Sequence, residues 1–245
     1  MAENVLITGA NKGIGNALVE HFSSNGYNVI ACMRKYNPEV ESKNIEREKK
    51  YCVKIWNYYF DLENEQEIKE TIRNIIKEVR KIEILINNAG ISDSKLFQML
   101  TMDEAKKSMQ INYFAPLQIS QLVARLMVRQ KAGCIVNIAS VSGMVNEIGR
   151  ISYGASKAAL IFATKTLSKE LAPFHIRVNC ISPGFIDTDM WRTRDVDLYN
   201  KVLEETPIGR QGNVDDVINA IDFLVSKKSS YITGQNIIVD GGRMV

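Results

Sequence analysis

Tyr153 and Lys157 stand four residues apart in SYGASKAAL (152–160). On a helix such a pair shares one face. A free phenol ionises near pH 10 and is a poor base at neutral pH, but a neighbouring cation stabilises the phenolate and brings it within working range. This spacing also arises by chance about once in a chain of this composition, so it needs support from elsewhere. The first support is TGANKGIG (8–15), where Gly9, Gly13 and Gly15 follow a strand-like run and open a helix. Glycines let the backbone turn sharply and approach a pyrophosphate, and the helix start presents free N–H groups to the anion. The dinucleotide is suggested by the end of the second strand, VIACMRK. A carboxylate there would take a ribose 2′-hydroxyl, yet Met33, Arg34 and Lys35 occupy the position and the first acid is Glu39. Arg34 has the planar donor fork suited to a 2′-phosphate, and Lys12 adds a second charge. NADP(H) is therefore expected over NAD(H).

These groups need a scaffold. The 245 residues include 31 basic and 28 acidic ones, a net charge of +3. Their interleaving leaves no concentrated basic stripe for nucleic acid. Cys32, Cys52, Cys134 and Cys180 show no C-x-x-C spacing, and His21 and His175 fall in no metal-binding pattern. Neither a disulfide nor a metal site is expected, and a reducing cytoplasm fits best. The N-terminus enters a strand-like run within four residues, no apolar run reaches membrane-spanning length, and a soluble protein away from membranes is expected.

Short apolar runs alternate with amphipathic segments. Strands are expected at 4–8, 28–32, 53–60, 82–88, 134–140, 176–182 and 236–242, and helices at 14–25, 64–80, 102–131, 153–172 and 213–227. Runs rich in Val and Ile suit strands buried on both faces. Their alternation with helices predicts one α/β domain, a Rossmann-type doubly wound seven-stranded parallel sheet flanked by helices on both faces. Residues 1–140 would form a cofactor half and 140–245 a catalytic half. The charged run ESKNIEREKK (41–50) reads as a solvated helix face or a loop, and the irregular stretch 184–212 as a substrate lid.

The ordered motifs TGANKGIG, NNAG (87–90), MQINYF with Asn112, NIASVSG with Ser140, YGASK (153–157), PGFIDTDM (183–190) and SSYITGQNIIVDGG (229–242) resemble the short-chain dehydrogenase/reductase family along the whole chain. The resemblance implies that Tyr153 is the proton donor in carbonyl reduction. Lys157 would lower its pKa and hold the nicotinamide ribose, Ser140 would orient the carbonyl, and Asn112 would hold a relay water. It implies cofactor contacts from the glycine turn, Asn11 and Ile14 included, and from Asp61, Leu62, Asn88, Ala89, Gly90, Pro183, Gly184, Ile186 and Thr188. Asp61 also reads as a helix N-cap. Substrate contacts are expected from Ser142, Met144, Phe185, Met190 and Trp191.

Within the family, several stretches look most like 3-oxoacyl-[acyl-carrier-protein] reductases of fatty acid biosynthesis. That implies a ketone carried on an acidic carrier protein, met by a basic patch to which Arg125, Arg129 and Lys131 contribute. Pro-Phe-His at 173–175 and Trp191, Arg192 and Arg194 in the lid depart from that pattern. They leave open a ketoreductase or dehydrogenase acting on a sugar or secondary metabolite. A non-catalytic dinucleotide sensor is the third alternative. The family further implies a homotetramer assembled through helices 102–131 and 153–172.

Overall fold

The structure, a computed structural model, describes residues 2–187 and 196–244. Seven strands form one all-parallel sheet: β1 (Asn4–Thr8), β2 (Asn28–Met33), β3 (Ile55–Tyr59), β4 (Ile84–Asn87), β5 (Gly133–Ile138), β6 (Ile176–Pro183) and β7 (Asn236–Val239). Their order is β3-β2-β1-β4-β5-β6-β7, so the winding direction reverses between β1 and β4. Ligands bind outside the carboxyl ends of the strands at such a switch point.

Side chains of one strand alternate between two cores, as the two-residue period requires. Val5 and Ile7 join Leu18, Val19 and Phe22 of α1 (Gly13–Ser24) and Val40 of α2 (Pro38–Tyr51). Val217, Ile221 and Leu224 of α8 (Val214–Val225) complete that face. Leu6 points the other way, to Ile68, Ile72 and Ile75 of α3 (Glu65–Val79) and to Ile119, Val123 and Met127 of α5 (Ala115–Gln130). Leu167 and Leu171 of α6 (Ile151–Leu171) pack there too. α4 (Met102–Met109) and α7 (Val196–Glu204) complete the set.

The expected doubly wound fold is present, with local differences. The charged run 41–50 lies inside α2, which buries only Val40 and Asn44 but has a strong start: Asn37 accepts from the Glu39 and Val40 amides and Pro38 follows. Pro at this position costs no helical hydrogen bond. The single helix expected over 102–131 is instead α4 and α5 joined by a π-turn, Gln110–Phe114, closed by the Ala115 N–H donating to the Gln110 carbonyl. Pro116 follows at once, and it has no N–H to return to the preceding turn. β5 stops at Ile138, so Ser140 lies past the strand end and caps a 3₁₀ turn, Val141–Gly143. The stretch expected as a lid contains α7, and residues 188–195 within it lie outside the described residues.

A buried polar spine crosses the sheet below the switch point. The Asn87 amide donates to Asn137 Oδ1 at 2.8 Å and to the Ser120 hydroxyl at 2.9 Å. Asn137 in turn donates to Thr164 Oγ1 at 2.9 Å, so the spine ties β4 and β5 to α5 and α6. Replacing Asn137 with Ala takes from the buried Asn87 amide one of its acceptors, leaves it Ser120, and removes the donor to Thr164. It is expected to lower stability by about 2 kcal/mol, read from the urea midpoint.

Candidate active site

A cleft of about 640 Å³ opens over the switch point. Its floor is the first βα turn. Gly9 has φ +69°, and a Cβ on Gly15 would stand 2.0 Å from the Gly9 carbonyl oxygen, so only glycine fits at position 15. α1 begins at Gly13 with no side chain capping its first N–H groups. An uncapped helix start behind a glycine cradle fits a pyrophosphate. The Thr8 hydroxyl braces the turn by accepting from the Asn88 and Ala89 amides, both at 3.0 Å. The Asn88 side chain donates back to the Thr8 carbonyl at 2.9 Å.

At one end the cleft is lined by Arg34, Asp61 and Leu62, and Asn11, Lys12 and Ile14 reach it from the glycine turn. Arg34 and Lys12 are exposed, and neither has an ion-pair partner among the described residues. Glu39 is committed to the first turn of α2 and is absent from the lining. The N-cap of α3 is Asn64, not Asp61, whose carboxylate instead accepts from the Glu63 amide at 3.0 Å.

At the other end stand Ser140, Tyr153 and Lys157, all in the lining and each less than a tenth exposed. Lys157 donates to the Ile138 carbonyl at 2.8 Å, tying α6 to the end of β5. Burial pushes its ammonium down to about 8. The turn bearing Ser140 packs directly on α6. A Cβ on Gly143 would stand 2.8 Å from the Ala158 nitrogen, and one on Gly154 would stand 2.7 Å from the Ser142 carbonyl oxygen. Asn112, at the centre of the π-turn, accepts from the Ile91 N–H at 2.9 Å and donates to the Ile91 carbonyl at 3.0 Å and the Ser156 hydroxyl at 3.1 Å. Its Oδ1 and Lys157 Nζ come within 3.0 and 3.4 Å of the point where a Cβ on Gly90 would lie.

Pro183, Gly184 and Ile186 join the lining where β6 ends, and Ser142 is beside Ser140. Met144 and Phe185 were expected at the substrate and are not in the cleft wall: Met144 turns outward beside Asn236, and Phe185 is buried beneath a neighbouring hollow. Thr188, Met190 and Trp191 lie outside the described residues, as do Arg192 and Arg194. Arg125, Arg129 and Lys131 are exposed at the end of α5 that feeds the start of β5, so within one chain they sit at the sheet edge opposite the cleft. His21 faces α8, 2.9 Å from Asp222. Sequence reasoning missed three charged residues in the wall, Glu147, Arg150 and Arg243. Arg243 pairs with Glu205 at 2.9 Å and approaches Glu147 at 3.8 Å.

A parallel doubly wound sheet with a glycine cradle and a Ser/Tyr/Lys cluster at its switch point defines a dinucleotide-dependent oxidoreductase. A family model described as enoyl-(acyl carrier protein) reductase matches residues 9–243. The chain belongs to the short-chain dehydrogenase/reductase family, oxidoreductases that act on CH–OH and C=O groups with a nicotinamide dinucleotide. It is 38% identical to a 3-oxoacyl-[acyl-carrier-protein] reductase of Aquifex aeolicus, over 97% of this chain and 95% of the relative. Identity to the Thermotoga maritima enzyme of that name is 35%, over 98% and 97%. Among solved structures, a 7α-hydroxysteroid dehydrogenase complexed with NADH and 7-oxo glycochenodeoxycholic acid superposes with a TM-score of 0.91 at 31% identity, covering 98% of this chain and 93% of that one. An NADPH-dependent 3-quinuclidinone reductase of Rhodotorula rubra gives 0.92 at 26% identity, over 99% and 91%. No helix among the described residues is long and apolar enough to cross a membrane.

Lys157 carries a linked prediction. With its pKa lowered to about 8 from 10.5, the folded state binds fewer protons than the unfolded state between those values. Stability therefore rises with pH through that window, and below it the buried charge is a constant cost. Lys157→Met is expected to lower turnover on the order of 10²–10⁴-fold. Thermal melts should show it more stable than the wild type at pH 7, with the advantage shrinking towards pH 10.

Proposed function

We propose that the protein is an NADPH-dependent carbonyl reductase that transfers hydride to the ketone of a 3-oxoacyl thioester carried on an acyl carrier protein. The observation that carries this reading is the convergence of Ser140, Tyr153 and Lys157 on one end of a cleft whose other end exposes Arg34 and Lys12. When bound, the reduced nicotinamide supplies hydride to the carbonyl carbon. The Ser140 hydroxyl holds the carbonyl oxygen, and the Tyr153 hydroxyl gives that oxygen its proton as negative charge develops. The Lys157 ammonium stabilises the phenolate left behind. Gly90, lacking a side chain, leaves space between Asn112 and Lys157 for the water through which the proton is replaced. Tyr153→Phe is expected to keep NADPH affinity, measured by fluorescence titration, and to lose on the order of 10²–10⁴-fold in kcat.

Arg34, with Lys12 beside the turn, would pair with the 2′-phosphate. Arg34→Ala is expected to raise KM for NADPH on the order of tenfold to a hundredfold and leave that for NADH nearly unchanged, because a charge-assisted pair is lost only in the first case. Exposed Phe114 at the head of α5 and Phe162 on α6 support a homotetramer built through these helices.

One observation favours a second reading. Glu147, Arg150 and Arg243 make the substrate end of the cleft charged, which suits a polar ketone such as a sugar or secondary metabolite better than an acyl chain. The deciding experiment is NADPH oxidation by the purified protein with acetoacetyl-carrier protein against sugar ketones. A preference for the sugars overturns the thioester assignment. Tight NADPH binding with no ketone turned over would leave the sensor reading standing.

A further inference from the structure

Arg150 is buried, 8% exposed, at the start of α6 one turn before Tyr153. Its guanidinium carbon lies 5.1 Å from the centroid of the Tyr153 ring. The Lys157 ammonium lies 5.9 Å from the same centroid, so two cations flank one phenol. Arg150 is held in place from outside its helix: Nη1 donates to the Ser92 hydroxyl at 2.5 Å and to the Asp93 carbonyl at 2.9 Å. The Ser152 hydroxyl donates to the Asp93 carboxylate at 2.6 Å, a second tie between the same two segments. Both Nη1 acceptors are neutral, and a neutral acceptor offsets less of a buried guanidinium's charge than a carboxylate at hydrogen-bonding distance would.

We propose that Arg150 is a positioning residue for the proton transfer, a second cation that stabilises the Tyr153 phenolate and fixes the ring while latching the segment after β4 to α6. The proposal rests on the reading of Tyr153 as the proton donor. A phenolate spreads negative charge into its ring, so a cation near the ring favours the ionised form more than the neutral one. Among the described residues, the other charged groups near the pair are engaged elsewhere or shared. Glu147, from the loop before α6, stands 4.0 Å from Arg150 Nε and is shared with the Ser142 hydroxyl and Arg243. Asp93 accepts from Ser152 through Oδ2, while its Oδ1 is buried with no hydrogen bond among the described residues. On the β6 side the Cys180 thiol is kept neutral by burial, its pKa pushed up to about 12.

The test is a spectroscopic titration of the phenolate, taken as the difference between each protein and its Tyr153→Phe counterpart, in wild type, Arg150→Gln and Arg150→Lys. Arg150→Gln is expected to move the Tyr153 titration alkaline by about one pH unit. The ascending limb of alcohol oxidation with NADP+ should move with it, with KM for the nucleotide little changed. Arg150→Lys, which keeps the charge, should return the titration most of the way to that of the wild type. An unmoved titration in Arg150→Gln, whatever its melting temperature, reduces Arg150 to a structural latch and overturns the proposal. Should Arg150→Gln not fold, Ser92→Ala removes only the anchor and should give a smaller shift of the same sign. No shift there also overturns it. The titration needs no turnover, so a wild type inactive on every ketone would sink the proposed function while leaving this inference to its own result.

Discussion

A single ammonium sets the geometry of this molecule. Among the described residues, buried Lys157 donates to the Ile138 carbonyl and otherwise faces the interior of the cleft. A charge in that position is tolerable only if strand end and helix meet at hydrogen-bonding distance, with polar groups gathered around it. The features that surround it serve that requirement: β5 stops at Ile138, the next turn packs through Gly143 onto α6, and Gly90 yields space beside Asn112. The lysine proposed to stabilise a phenolate is thus also a tie between the end of β5 and α6.

The π-turn belongs to the same region. A regular helix from 102 to 130 would have to pass Pro116 without its hydrogen bond and would present Asn112 in a different phase. Widening the turn at 110–114 lets both be accommodated, and Asn112 then grips the backbone of Ile91 from inside the protein. Such turns carry a cost in helix geometry and gather at functional sites. Here the cost secures the segment that leads from β4 past the cleft to Ser92 and Asp93, the acceptors that hold Arg150.

The sheet was legible because its strands are short Val/Ile runs buried on both faces, a pattern that few other architectures produce. The glycine turn was legible from residue type at short range, whereas the Ser/Tyr/Lys set was legible only through the ordered motifs along the chain, because the Tyr/Lys spacing alone arises by chance. The break at Pro116 had a signal in the sequence, a proline within an otherwise helical pattern, although the apolar period runs on across it. α2 was ambiguous because a helix burying so few apolar groups has a weak period, and its capping by Asn37 and Pro38 was the better sign. The charged wall of Glu147, Arg150 and Arg243 had no sequence signal, since 147 and 243 become neighbours only through the topology. Phe185 was expected at the substrate, yet the chain there pairs Ile186 with Gly212 and the ring is buried.

The close seating of Gly143 and Gly154 has a consequence for how such a protein can diversify. Gly143 seats on α6 at Ala158, and Gly154, within α6, seats on the Ser142 carbonyl, so residues 144–149 form a loop whose ends are held close together. Closing a longer loop between fixed ends adds little entropy, on the order of 0.6 kcal/mol per doubling of its length. Insertions and exchanges there can therefore reshape the mouth of the cleft while Ser140 and Tyr153 keep their separation. Apart from Glu147, which ties the loop to Ser142 and Arg150, the loop's length and residues can change while the spacing of Ser140 and Tyr153 stays set by the glycine contacts.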